Sequence, residues 1–251
     1  MSFLYNQILY IPLLNALIII YNHLSFSDLG LAVIILTLII RIILFPLFHK
    51  GSKSQALIQK IQPKIKEISE KYKDNKEEQV KKILEVYKEN KVNPLSGIFL
   101  LLVQLPVLIA LFHVFYYGLS SETLTGLYSF VTIPEKINFS FLGLINLQQT
   151  SIIIVVLAAL FQYIQAKLSI AKVSSSDSAN PGNKMAKQMA LIGPFITFII
   201  LFRLPSVIGI YWITTSVFSI FQQIIINKSI EKDERRNEKN IRRDDQPDEY
   251  R

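Results

Sequence analysis

Residues 29–48 read Leu29-Gly30-Leu31-Ala32-Val33-Ile34-Ile35-Leu36-Thr37-Leu38-Ile39-Ile40-Arg41-Ile42-Ile43-Leu44-Phe45-Pro46-Leu47-Phe48. A run of about 20 predominantly apolar residues is what an α-helix needs to cross hydrocarbon. The apolar positions are consecutive rather than alternating, which selects a helical span over a barrel strand. Arg41 is the only charge in the run. Insertion scales put an arginine at the centre of a span at about 2.5–3.5 kcal/mol. The guanidinium must therefore find water, a partner or a use.

Outward from that stretch, the chain has 251 residues, 51% of them hydrophobic, and a mean hydropathy of +0.35. The apolar residues lie in blocks separated by charged or Ser/Asn-rich stretches, as expected of an all-α polytopic membrane protein. There is no cysteine, hence no disulfide, thiolate metal site or lipid-modified cysteine. His23, His49 and His113 have no metal-ligand spacing, and no cofactor is expected. No Lys or Arg precedes Arg41, so the start lacks the basic region of a signal peptide and is read as a mature N-terminus.

Five transmembrane helices are expected: residues 29–48, 94–117, 150–168, 189–204 and 205–227. The last two are joined only through Leu204-Pro205-Ser206 and predict a tight hairpin in the bilayer. Residues 1–28 are apolar but interrupted by Tyr5, Tyr10, Pro12, Asn15, Tyr21 and Asn22. They predict a helix lying along the outer interface, with a sixth span as the alternative.

Residues 49–93 carry 12 Lys, residues 167–188 carry 4, residues 228–251 carry 8 Lys plus Arg, and residues 118–149 carry only Lys136. The positive-inside rule makes 49–93, 169–188 and 228–251 cytoplasmic and 118–149 external. The N-terminus is then outside and the C-terminus in the cytoplasm. The net charge of +8 is thus read as orientation rather than nucleic-acid binding.

Within 49–93, Ile58, Ile61, Ile65, Ile68 and Tyr72 form a heptad seam. A second helix offers Val80, Ile83, Leu84 and Tyr87, completing a cytoplasmic helical hairpin. Pro63 argues that the first of these helices begins near Ile61. Residues 169–188 read as a flexible loop. Residues 228–251, with 8 acidic and 8 basic side chains, read as a disordered tail.

Thr37 and Arg41 are four residues apart and share a helix face. Tyr211, Thr214, Thr215, Phe218 and Gln222 form a semi-polar stripe on the last span; Gln104 lies on the second, and Gln162 and Gln165 on the third. No acidic residue lies within any expected span, so Arg41 has no intramembrane counter-ion there. The least costly arrangement is a water-filled cavity lined by these hydroxyls and amides, with Arg41 facing it. The plainer alternatives are snorkelling of Arg41 to the cytoplasmic interface and ordinary interhelical hydrogen bonding by Gln and Thr. A cation in a wet cavity attracts an acidic or polar segment of another chain. A small anion transporter or channel is the competing reading, but five unequal spans without a repeat speak against it.

Several segments together resemble the YidC-type membrane protein insertases, a family that includes mitochondrial and thylakoid members. They are residues 36–47 around Arg41, Ile61-Gln62-Pro63-Lys64-Ile65, Val92-Asn93-Pro94-Leu95-Ser96-Gly97, Gln104-Leu105-Pro106-Val107 and Gly209-Ile210-Tyr211-Trp212-Ile213-Thr214-Thr215 through Gln222-Gln223. The likeness covers Leu29 to Asn227. It implies five spans, a hydrophilic groove open to cytoplasm and lipid, a groove arginine at Arg41, a flexible hairpin, and Trp212 lining or bordering the groove. Clients would be nascent membrane proteins, with the lipid bilayer, the ribosome, targeting factors and the translocon as candidate partners. The large periplasmic domain of Gram-negative members and the anchor cysteine of many Gram-positive ones have no counterpart here, so the resemblance is to a minimal bacterial member in the cytoplasmic (inner) membrane. There is no G-x-x-x-x-G-K-[ST] phosphate loop, and no bond-making activity is expected.

Overall fold

The computed structural model describes residues 3–117, 119, 124, 127–169 and 192–244. The chain is an all-α polytopic membrane protein. Among the described residues the helices are α1 Phe3–His23, α2 Leu29–Ile43, α3 Phe45–Lys71, α4 Lys76–Glu89, α5 Ser96–Tyr116, α6 Ile152–Ser169, α7 Ile192–Leu201 and α8 Ser206–Asp244. Helices α1, α5, α6 and the Ser206–Asp233 part of α8 are long and apolar enough to cross a membrane. Counting the bent pair α2–α3 as one span brings these to five among the described residues; α7 is a shorter apolar helix.

The main core gathers Leu14, Leu17 and Ile18 of α1, Leu29, Val33 and Leu36 of α2, Leu111 and Val114 of α5, Ile154 and Ala158 of α6, and Val207 and Ile210 of α8. Gly209 decides how closely α8 approaches α6. A Cβ there would fall 2.3 Å from Ile154 Cγ2, so only glycine allows the contact. Gly209→Ala is expected to destabilise the bundle by about 1–3 kcal/mol, the usual cost of overpacking, read as a lowered melting temperature in detergent.

Helix α1 makes polar contacts with one end of the bundle from both of its own ends. Tyr5 Oη lies 2.7 Å from His113 Nδ1 in the last turn of α5. Near the other end, Asn22 Nδ2 donates to Thr132 O at 2.7 Å, and Tyr21 Oη accepts from Asn138 N at 2.8 Å. Asn15 Oδ1 accepts from Tyr128 N at 2.8 Å. The sequence features that interrupt α1 therefore serve to hold the connection between α5 and α6. Pro12 is absorbed by a π-helical segment, Asn6–Tyr10, just before it. The connection closes with a small antiparallel pair, β1 Ser140–Phe141 and β2 Ile145–Asn146. Phe141 packs where Gly30 leaves room.

Three boundaries differ from the expectation. The apolar run at 29–48 is not one straight helix: α2 ends at Ile43 and α3 leaves it at 70°. Pro46, with no N–H and a restricted predecessor, occupies the first turn of α3 and sets the break. The helix expected to begin near Ile61 begins at Phe45 and runs through Pro63. Its early turns are held by tertiary contacts: Gly51 lies against Leu100, and Ser54 exchanges hydrogen bonds with the Asn93 backbone. The tail expected to be disordered over 228–251 is helical to Asp244, because α8 continues past the apolar part. Ile226 and Ile230 bury against Ala56, while Lys53 pairs with Asp233 at 3.1 Å. Residues 245–251, like the Ser/Asn-rich loop from position 170 onward and the first residues of the expected fourth span, lie outside the described residues.

The basic hairpin is formed by α3 and α4, with Ile65 and Val86 buried between them. Val80 and Leu84, expected in this seam, point outward at 56% and 47% exposure. Asn75 caps α4 by accepting from Glu78 N at 3.1 Å.

Candidate functional site

Arg41 sits in the last turn of α2, where the helix dipole favours a cation and where the break before α3 begins. It is only 6% exposed. Its guanidinium carbon lies 4.8 Å from the Phe48 ring centroid. That cation–π contact, with the ring supplied by the first turn of α3, fixes the side chain's direction. Among the described residues Arg41 has no ion pair and no hydrogen bond.

The guanidinium lines a cavity of about 280 Å³. This is room for several water molecules. Helix α3 supplies Phe48, Ser52, Gln55, Ala56 and Gln59 to its wall. Gly97, Leu100, Leu101 and Gln104 come from α5, and Gln165 and Ser169 from α6. Ser219, Gln222 and Gln223 come from α8. Through Ala56 the cavity adjoins the Ala56–Ile226–Ile230 cluster.

Arg41, Gln104 and Gln165, all expected groove residues, share this cavity. Tyr211 is buried behind it, and Gln104 Nε2 donates to its phenol oxygen. Thr37 is buried, and its hydroxyl donates to Val33 O at 2.6 Å on its own helix. Thr214 does the same to Ile210 O at 2.8 Å. Neither hydroxyl is among the groups lining the cavity. Thr215 Oγ1 is buried beside the Tyr211 phenol on the same helix. Trp212 Nε1 donates to Gln162 Oε1 at 2.9 Å, which ties α8 to α6 away from the cavity wall.

The profile of the 60Kd inner membrane protein family matches residues 19–234. The relatives found alongside it are named membrane protein insertase YidC. The chain belongs to the YidC insertase family. The Oceanobacillus iheyensis YidC is 35% identical over 204 residues, covering 79% of this chain and 74% of the relative. The Fusobacterium nucleatum YidC is 32% identical over 202 residues, covering 80% and 87%. A Geobacter YidC is 30% identical over 220 residues, which are 88% of this chain but 37% of that longer protein.

Sequence reasoning about this YidC-family chain missed Ser52, Gln55 and Gln59, because they were read as the approach to a hairpin beginning later. Their spacing of three and four was the available signal: it places them on one face of a helix. Ser219 and Gln223 were missed because each sits one residue beside a member of the stripe, Phe218 and Gln222, rather than on it.

Proposed function

We infer that this protein is a membrane protein insertase that makes and breaks no covalent bond. It draws polar segments of nascent membrane proteins into a hydrated groove within the bilayer and releases their hydrophobic helices into lipid. The observation that carries this reading is Arg41: buried, without an ion pair among the described residues, and lining a polar cavity. A cation kept in that setting offers an electrostatic foothold to an acidic or polar segment. The insertase names of relatives at 30–35% identity support the same reading. Gln104, Gln165 and Tyr211 keep the cavity polar, while Thr37, Gln162, Trp212, Thr214 and Thr215 hold the helices that frame it.

The protein resides in the bacterial cytoplasmic (inner) membrane with its N-terminus outside and its C-terminus in the cytoplasm. Lysine-rich α3 and α4 then project into the cytoplasm, where they meet clients, ribosomes, targeting factors or the translocon. Helix α1 lies along the outer interface. Its support is that a helix roughly 30 Å long makes polar contacts near both ends with the α5 terminus and the connection that follows it.

Reconstitution tests the reading. Liposomes containing the protein should insert a single-span client with an acidic N-terminal tail, and Arg41→Ala should lower the yield by about fivefold or more, the loss of one charge pair at ~1–4 kcal/mol. Unchanged yield would remove the electrostatic role. Selective anion flux through the same liposomes would favour a transporter instead.

A further inference from the structure

Two adjoining walls of the cavity carry matching chemistry. On α3, Ser52, Gln55 and Gln59 occupy one helix face; on α8, Ser219, Gln222 and Gln223 occupy another. Neither wall carries a charge at these positions. A glutamine amide reproduces the peptide group, with an N–H donor and a carbonyl acceptor. The amide of Gln55 has no hydrogen-bond partner among the described residues. Gln222 Nε2 donates weakly to Phe45 O at 3.5 Å and Gln223 Nε2 to Asn227 Oδ1 at 2.9 Å, which leaves both side-chain oxygens without a donor among the described residues.

We propose that these two walls form a second subsite, distinct in chemistry from Arg41, that hydrogen-bonds the main chain of an extended client segment. The ligand is the polypeptide backbone of an uncharged polar stretch, whatever its side chains. This rests on the groove reading and deepens it. Arg41 selects by charge. The amide walls replace the water that each peptide N–H and C=O gives up on leaving the cytoplasm, so a tail without acidic residues is also accepted. Because one wall is the start of α3, the hairpin base is part of the binding site and not merely its support.

The test uses the full-length protein in liposomes and two clients with equal-length uncharged tails. One tail is built from Gly, Ser and Asn; the other has Pro at alternate positions and so lacks half its N–H donors. In the double variant Gln55→Met, Gln222→Met, one substitution in each wall, insertion of the first client is expected to fall about tenfold, the loss of two neutral hydrogen bonds. The proline tail should fall only about threefold, since it offers fewer bonds to lose. Equal losses for both tails, or no loss, would overturn the proposal. A photo-crosslinking residue at position 219 of the otherwise unaltered protein should capture the Gly/Ser/Asn tail, and no adduct would also overturn it. The groove reading fails separately, through an acidic tail that is indifferent to Arg41→Ala.

Discussion

Arg41→Glu is expected to reverse the charge preference of insertion: clients with acidic tails should fail, and clients with lysine-bearing tails of the same length should gain. The argument is Coulombic. Two unit charges 4 Å apart interact by about 1 kcal/mol in bulk water and about 4 kcal/mol at an effective dielectric constant of 20. A cavity holding a few waters lies between these limits. Attraction of that size favours an acidic tail by roughly fivefold to a thousandfold, and reversing the sign turns the same term against it. A structural cation would behave differently. If Arg41 only braced α2 against Phe48, both clients would suffer alike, and Arg41→Lys would suffer nearly as much because lysine lacks the planar guanidinium. With an electrostatic role, Arg41→Lys keeps most of the acidic-client yield. The measurement is the inserted fraction of each client with wild type, Arg41→Lys and Arg41→Glu in matched liposomes. A parallel loss for both tails would end the charge-selection reading.

The helical class, the membrane setting and the anomaly of a charged Arg41 within an apolar run were legible because they rest on composition and local periodicity. An uninterrupted apolar run carries its own length, and an isolated arginine within it carries its own cost. The break at Leu44 was less legible. Pro46 was visible, but a proline near a helix terminus is compatible with a stop, a kink or a new first turn, and tertiary contacts choose between them. Here Gly51 against Leu100 and Ala56 against Ile226 pull the chain into a new helix at once. The same contacts account for the helical tail. A segment with balanced charges has no reason of its own to fold, yet it continues a helix already anchored by Ile226, Ile230 and the Lys53–Asp233 pair. Polar residues were hardest to apportion. Thr37 and Thr214 read as cavity hydroxyls, but a threonine on a helix can bond the carbonyl one turn back, and both do.

Asp28→Ala is expected to be the most damaging substitution outside the cavity. Asp28 is largely buried at the start of α2. Its Oδ1 accepts from Leu31 N at 2.9 Å, capping the helix, and its Oδ2 accepts from Leu142 N at 2.6 Å in the turn between β1 and β2. One carboxylate thus joins the helix that carries Arg41 to the connection after α5. Leu142 has φ of 50°, a left-handed conformation that a leucine holds only when its surroundings impose it. Hydrogen bonds to a charged group are worth about 1.5–3 kcal/mol each, and a lost cap about 1 kcal/mol. Removing the carboxylate should therefore cost about 2–4 kcal/mol, because the two bonds share one group and are not additive. Asp28→Asn keeps one acceptor oxygen but presents an NH₂ to the other donor. It should lie between wild type and alanine. Thermal unfolding in detergent gives the stability order. Limited proteolysis of the connection should reveal earlier cleavage near Leu142 in the alanine variant than in the asparagine one. Equal stability of all three proteins would mean that α2 and the connection are held together by Phe141 against Gly30 alone, and that the carboxylate serves no structural purpose.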